Sequence, residues 1–284
     1  MSNLRLCIQK GGRLSEKSLG LLNQCGVSVS NGGSLKAEAR HFPLEVLFLR
    51  DDDIPQAVQD GVADAGILGE NVVLESGKKI EVIEKLGFGR CRLSLAVRRE
   101  ESYDDTAWFE GKKIATTYPN IVESYLREKG VSAAIEKING SVEIAPSIGL
   151  ADGICDIVST GSTLLSNGLK EVETILQSEA VLVKNPSLDP EKDALLRDLV
   201  FRIQSVLKAS EFKYILLNAP NEALETIKQE LPGMKSPTIL PLAKEGWSSL
   251  HSVIREDDFW ERIGRLKDLG AEGILVCPIE KMIL

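Results

Sequence analysis

Histidine is almost missing from this 284-residue chain, which has only His41 and His251. Neither stands near residues that would make a catalytic pair, so no Ser/His/Asp or Cys/His nucleophile is expected. Cysteine is also scarce. The five, Cys7, Cys25, Cys91, Cys155 and Cys277, form no CxxC pair, so no structural zinc site is expected. Their places in apolar runs predict reduced, buried thiols of a cytoplasmic protein. No apolar run approaches the roughly 20 residues of a membrane-crossing helix, and the stretch from Met1 to Leu6 predicts no secretory signal. Positive charge is not in excess: the net charge of -8 has the wrong sign for a nucleic-acid partner. Neither GxxxxGK[ST] nor GxGxxG occurs, which removes the P-loop and dinucleotide-binding folds.

What is present is the balance of an ordinary soluble protein, 43% hydrophobic and 27% charged, at a length that predicts two or three domains. Short apolar runs alternate with helical spacing through the first two thirds. Strands are predicted at Leu4–Gln9, Leu44–Leu49, Ala65–Leu68, Lys113–Thr117 and Ile154–Val158. Helices are predicted at Ser15–Cys25, Ile54–Asp60 (with Asp53 as N-cap) and Ile121–Lys129. Extended segments are expected at Ser132–Ile138 and Val142–Ala145. The order implies α/β architecture with largely parallel sheets. Gly61-Val-Ala-Asp-Ala-Gly-Ile67 is echoed by Gly149-Leu-Ala-Asp-Gly-Ile154. Two similar lobes facing a cleft would produce such an echo. Leu195–Leu207 predicts a long helix. The last segment reads βαββαβ, a ferredoxin-like module, with Phe259, Trp260, Ile263, Leu266 and Leu269 inward on its second helix.

Three segments carry candidate chemistry. In Asp156-Ile-Val-Ser-Thr-Gly-Ser-Thr163 a buried strand delivers an acid, then a loop of small hydroxyl residues. Backbone N–H groups and the hydroxyls of Ser159, Thr160, Ser162 and Thr163, with Gly161 between them, suit a phosphate, and Asp156 suits ribose hydroxyls. Lys10-Gly-Gly-Arg13 follows the first strand and suits a polyphosphate; solvated charges on a glycine turn read equally well. Arg50, before three aspartates, and Glu70 with Asn71 end neighbouring strands, where α/β sheets face their ligands. Glu143 either joins Asp156 at a Mg²⁺ ion or is a surface acid on an edge strand. Tyr118 either stacks on a base or packs beneath its turn.

Together, the Lys10-Gly-Gly-Arg-Leu, Leu49-Arg-Asp-Asp-Asp-Ile-Pro, Gly66-Ile-Leu-Gly-Glu-Asn, Ile114-Ala-Thr-Thr-Tyr-Pro-Asn, Gly140-Ser-Val-Glu-Ile-Ala-Pro and Gly149-to-Leu164 segments resemble the ATP phosphoribosyltransferase family, in its long form. The resemblance runs through Pro237-Thr-Ile-Leu-Pro-Leu and Ile274-Leu-Val-Cys-Pro-Ile. It implies a two-lobe, periplasmic-binding-protein-like catalytic core with a C-terminal ferredoxin-like regulatory domain. Lobe I is expected at residues 1–92 plus 184–211, lobe II at 93–183, and the regulatory domain at 212–284. The implied reaction moves phosphoribosyl from phosphoribosyl pyrophosphate to N1 of ATP, releasing pyrophosphate, as the first step of histidine biosynthesis, with feedback by histidine. The implied cofactor is Mg²⁺, held by Glu143 and Asp156. Dimers and hexamers are the implied assemblies. Catalytic roles fall to Asp156, Glu143 and Arg50. Phosphoribosyl pyrophosphate falls to Asp156 and Ser159–Thr163. ATP falls to Lys10, Arg13, Arg50, Glu70, Asn71 and Tyr118, and histidine to Thr238 and Gly273. The loop of the unrelated common phosphoribosyltransferase fold has an acid where Cys155 stands here. A solute-binding protein and a catalytically dead regulatory subunit are the competing readings.

Overall fold

Leu4, Leu6, Cys7 and Ile8 are buried on the first strand, and Ala65 to Leu68 are buried without a break on a later one. Strands apolar on both faces belong in the middle of a covered sheet. The computed structural model, which describes residues 3–30 and 32–283, places them there. The outer limits expected for lobe I and for the regulatory domain, residues 1 and 284, lie outside the described residues.

The first sheet is assembled from β1 (Leu4–Gln9), α1 (Arg13–Gln24), β2 (Ser28–Val29), β3 (Lys36–Arg40), β4 (Leu44–Leu49), α2 (Ile54–Gln59), β5 (Ala65–Gly69), α3 (Glu70–Ser76) and β6 (Glu81–Lys85). The chain then leaves to form a second sheet. Its elements are β7 (Cys91–Arg98), β8 (Lys113–Thr116), α4 (Pro119–Lys129), β9 (Ala134–Lys137), β10 (Gly153–Val158), α5 (Ser162–Ser166) and β11 (Leu169–Ser178). It returns through β12 (Ala180–Lys184) into α6 (Pro190–Ser210). The strand orders are β2-β3-β4-β1-β5-β12-β6 and β11-β7-β10-β8-β9.

Two expectations need correction. The sheets are mixed rather than largely parallel. Only β1 with β4 and β5, and β8 with β9 and β10, run parallel; β3 with β2 and β4, β7 with β10 and β11, and β12 with β5 and β6 run antiparallel. The lobe limits shift as well. Cys91 and Arg92 belong to the second sheet, and Ala180 to Val183 belong to the first, where β12 pairs with β5 and β6.

The echo has a structural counterpart. Asp64 N donates to the Arg5 carbonyl at 2.9 Å while Asp64 Oδ2 accepts from Arg5 N at 2.7 Å. Asp152 N donates to the Lys113 carbonyl at 2.9 Å while Asp152 Oδ2 accepts from Lys113 N at 2.9 Å. Each aspartate thus ties the entry of one parallel strand to the start of its neighbour, β5 to β1 and β10 to β8. The repeated Gly-φ-Ala-Asp is the device that starts each inner strand pair.

Two compact units are distinguished, one through Arg197 and one from Asp198, with α6 running from the first into the second. Leu196, Leu199, Ile203 and Val206 are buried along that helix at its 3.6-residue period. The second unit contains β13 (Phe212–Pro220), α7 (Leu224–Glu230), β14 (Thr238–Pro241), β15 (Trp247–Arg255), α8 (Glu256–Asp268) and β16 (Glu272–Pro278). Its sheet order, β14-β15-β13-β16, is the ferredoxin-like one. Ile215, Leu217, Ile227, Leu250 and Leu266 fill its core. Trp260, expected inward, is 76% exposed within its helix. Cysteine burial is also less complete than expected. Cys7, Cys25 and Cys155 are buried, but Cys91 is half-buried and Cys277 is exposed on the edge strand β16.

Candidate active site

Parallel strands deliver their C-terminal ends to one place. In lobe I, β4 and β1 end in register at Leu49 and Gln9, and Lys10 N donates to the Leu49 carbonyl at 2.7 Å. Arg50 follows β4, and Asn71 follows β5 in the first turn of α3. In lobe II, β8 ends at Thr116, whose hydroxyl accepts from Tyr118 N at 2.9 Å, and β10 ends at Val158.

Helix α3 meets lobe II at two points. Asn71 Nδ2 donates to the Tyr118 hydroxyl at 3.1 Å, and the Ser178 hydroxyl donates to Asn71 Oδ1 at 2.9 Å. A Cβ at Gly69 would collide with that Asn71 oxygen, which fixes glycine before it. One turn on, the Glu75 carboxylate accepts from Asn120 N at 3.1 Å and Ile121 N at 3.0 Å, satisfying the open N–H groups of α4. The α4 N-cap position belongs to Tyr118, which makes no side-chain cap bond, so a carboxylate from the other lobe takes over that task.

Two cavities result. One, of about 670 Å³, is lined by Arg50 and Asp52 of lobe I, Glu75 of α3, and Thr117, Tyr118 and Lys137 of lobe II. It is polar and carries both charge signs. Burial pushes the Asp52 carboxyl up, as do Asp51 and Asp53, while Lys137 and Arg50 pull it down. Burial likewise pushes Glu75 up, against its two N–H donors and Lys137.

The second cavity, of about 190 Å³, is lined by Glu143, Asp156, Ser159, Thr160, Gly161 and Thr163. Gly161 caps α5 at φ 81, a left-handed conformation that favours glycine. Burial pushes the Asp156 carboxyl up; Ile157 N, donating to it at 2.8 Å, opposes this, and the charge of Glu143 adds to it. Burial also pushes the Tyr118 hydroxyl up, and the charges of Asp156 and Asp51 act in the same direction. Tyr118 is therefore felt from both cavities.

Several expected site residues are placed differently. Glu143 sits on a 3-10 turn, Val142–Ile144, not on a strand, because Ser141 is left-handed at φ 50 and turns the chain. Asp53 occupies the N-cap position of α2 without a side-chain cap bond. Glu70 pairs with Lys85 at 3.2 Å and lines neither cavity. Lys10 and Arg13 are exposed, line neither cavity and have no ion-pair partner among the described residues. Ser162 lies beside the second cavity, its hydroxyl 3.0 Å from that of Thr160. Cys155 faces the opposite side of β10 from Asp156, fully buried with Leu93, Leu95 and Phe109. An acid there would enter the core, so a second ribose carboxylate has no place at that position. Lys137 and Glu75 were missed. Lys137 ends β9, a parallel strand, and the strand-end rule that picked Arg50 would have found it.

Among the described residues no three carboxylates, histidines or cysteines converge as a metal cage. Glu143 and Asp156 nevertheless line one cavity, and the charge of Glu143 raises Asp156. Such a pair suits a hydrated divalent ion that completes its shell with substrate oxygens.

A family model described as ATP phosphoribosyltransferase matches residues 50–205, and one described as HisG, C-terminal domain, matches residues 209–281. The chain belongs to the ATP phosphoribosyltransferase family. The second match marks it as the long form. An ATP phosphoribosyltransferase of Cytophaga hutchinsonii is 57% identical over 281 residues, covering 99% of this chain and 98% of that one. One from Phocaeicola vulgatus is 55% identical over 282 residues, covering 99% and 100%. The solved ATP phosphoribosyl transferase (HisG:HisZ) complex from Thermotoga maritima is 31% identical with a TM-score of 0.63, covering 72% of this chain and 98% of that chain. As an ATP phosphoribosyltransferase the chain is a pentosyltransferase, acts at the first step of histidine biosynthesis, and takes ATP and phosphoribosyl pyrophosphate as substrates. No helix among the described residues is long and apolar enough to cross a membrane.

Proposed function

We propose that the second cavity holds phosphoribosyl pyrophosphate, that the first holds ATP, and that N1 of adenine displaces pyrophosphate at the ribose anomeric carbon. The observation that carries this is the meeting of Asp156 with Ser159, Thr160, Gly161 and Thr163 at one small cavity, near enough to Tyr118 of the larger one for the Asp156 charge to act on its hydroxyl. The bond from the anomeric carbon to the pyrophosphate oxygen breaks with its electron pair on oxygen, and a bond to N1 forms. The adenine amino group then releases a proton to solvent. Charge is positive on the ribose and negative on the leaving group, so alignment and charge compensation are the main tasks.

In this reading Thr160, Gly161, Ser162 and Thr163 hold the 5′-phosphate through N–H and hydroxyl donors, with Ser159 at the loop's entrance. Asp156 accepts from the ribose hydroxyls and faces the developing positive charge. Arg50 and Lys137 neutralise ATP phosphates from opposite walls of the larger cavity, and Tyr118 and Asn71 orient the base between the lobes. Lys10, Arg13 and Glu70 keep a role only at the outer end of the polyphosphate. Glu143 and Asp156 would hold Mg²⁺, which supplies charge neutralisation of the pyrophosphate when bound.

The second unit is proposed to bind histidine. Thr238 lines a cavity of about 660 Å³ with Ser236, Tyr214 and His251. Gly273 lies on β16, at the opposite edge of the sheet from β14, which removes it from that cavity. Homo-oligomers, dimers and hexamers, are supported by apolar residues exposed within this unit on its edge strands, Leu240 on β14 and Leu275 on β16. Substrates made inside the cell support a cytoplasmic location.

The test is to mix the protein with ATP, phosphoribosyl pyrophosphate and Mg²⁺. The expected product is phosphoribosyl-ATP, linked through N1, with one pyrophosphate per adduct. Binding of both substrates with no adduct would overturn the proposed chemistry.

A further inference from the structure

The Ser159–Thr163 segment is held mostly by itself. The Thr160 and Ser162 hydroxyls lie 3.0 Å apart, and the Ser166 hydroxyl donates to the Ser162 carbonyl at 3.0 Å. Among the described residues one side chain outside the loop and α5 hydrogen-bonds to it. Arg92 of β7 donates from Nη1 to the Ser159 carbonyl at 3.1 Å.

Arg92 stands opposite Val158, where β10 ends and the loop departs. Its remaining donors grip Glu171 of β11, Nε to Oε1 at 2.5 Å and Nη2 to Oε2 at 2.6 Å. A two-point grip fixes the plane of the guanidinium, so Nη1 is aimed rather than free. Glu171 is itself held by the Ser94 hydroxyl at 2.8 Å, and Ser94 is the register partner of Asp156. One braced row thus connects the strand that carries Asp156 to the first carbonyl of the loop.

We infer that Arg92, oriented by Glu171, is a positioning residue for phosphoribosyl pyrophosphate. It anchors the Ser159 carbonyl and thereby sets where the donors of Thr160 to Thr163 stand; it does not itself touch the substrate. This rests on the proposed assignment of the loop to that substrate. The two side chains are 30% and 26% exposed, so solvent screens part of the pair's effect on the fold, and its positioning role is read in substrate binding.

The test is steady-state kinetics of the full chain with each substrate varied in turn. Arg92→Ala, Glu171→Gln and the double variant are compared with Thr163→Val. Arg92→Ala and Glu171→Gln should each raise KM for phosphoribosyl pyrophosphate about tenfold, the size of one lost charge-assisted hydrogen bond, with KM for ATP nearly unchanged. The double variant should be no worse than Arg92→Ala, because both break one row. If Thr163→Val raises that KM and Arg92→Ala does not, the positioning role falls and the loop assignment stands. If neither does, both fall. Equal rises for the two substrates with a lowered melting temperature would make the pair merely structural and overturn the inference.

Discussion

Asn71 and Tyr118 join the lobes through a single hydrogen bond, Nδ2 to the phenol oxygen at 3.1 Å, with the amide buried and the ring lining the larger cavity. Tyr118→Phe removes the acceptor and leaves Asn71 with an unpaired donor. The expected cost is about 1–3 kcal/mol of stability, together with a rise in KM for ATP. Thermal melts and initial rates check this. An unchanged melting temperature and an unchanged KM would mean that the contact orders nothing.

Asp156 and Glu143 make a prediction about pH. The folded-state pKa of Asp156 is raised, chiefly by burial and further by Glu143. A raised carboxyl contributes stability below its unfolded pKa, and that contribution is lost as pH rises through the folded value. At neutral pH the ionised carboxylate is therefore a burden on the fold. Asp156→Asn should melt higher than the parent at pH 7, with the gap closing as pH falls toward the ordinary aspartate range. Glu143→Gln should move the acid limb of kcat/KM for phosphoribosyl pyrophosphate downward. A limb that stays put would remove Glu143 from the neighbourhood of that charge.

Thr163→Val keeps the shape of the loop and deletes one donor. Binding of phosphoribosyl pyrophosphate should weaken by about 1.5–3 kcal/mol, as for a hydrogen bond to a charged oxygen, and ATP binding should not. Titration calorimetry with each substrate separates the two. Equal losses would make the loop structural only.

Much of this was legible in the sequence because local chemistry fixed it. The Asp156–Thr163 strand and loop are one contiguous segment, and the Gly-φ-Ala-Asp echo reports a hydrogen-bonding device contained in each copy. Other features depend on distant partners. β11 carries Lys170, Glu171 and Glu173 in an edge position, so it shows no clean apolar alternation and was not expected as a strand. Glu171 gains its meaning only from Arg92, 79 residues earlier. Glu75 reads as a surface helix acid until α4 of the other lobe is placed against it. The antiparallel entries of β7 and β12 follow two crossings between the sheets, which no local spacing encodes.

In the second unit, Thr238→Val should abolish or sharply reduce inhibition by histidine while leaving uninhibited turnover near the parent value. Thr238 lines the cavity of about 660 Å³ and is far in sequence from the phosphate loop. Dose–response curves at fixed substrate check this. Undiminished inhibition would move the regulatory ligand away from that cavity.

The central claim is that Asp156 stands against the ribose as the bond to pyrophosphate breaks. The most direct measurement is the turnover of Asp156→Asn, followed as phosphoribosyl-ATP formed at saturating substrates, with melting used to confirm the fold. Turnover at least ~100-fold below the parent, the scale of one lost transition-state contact, is the predicted result. A folded variant with near-parent turnover would contradict it.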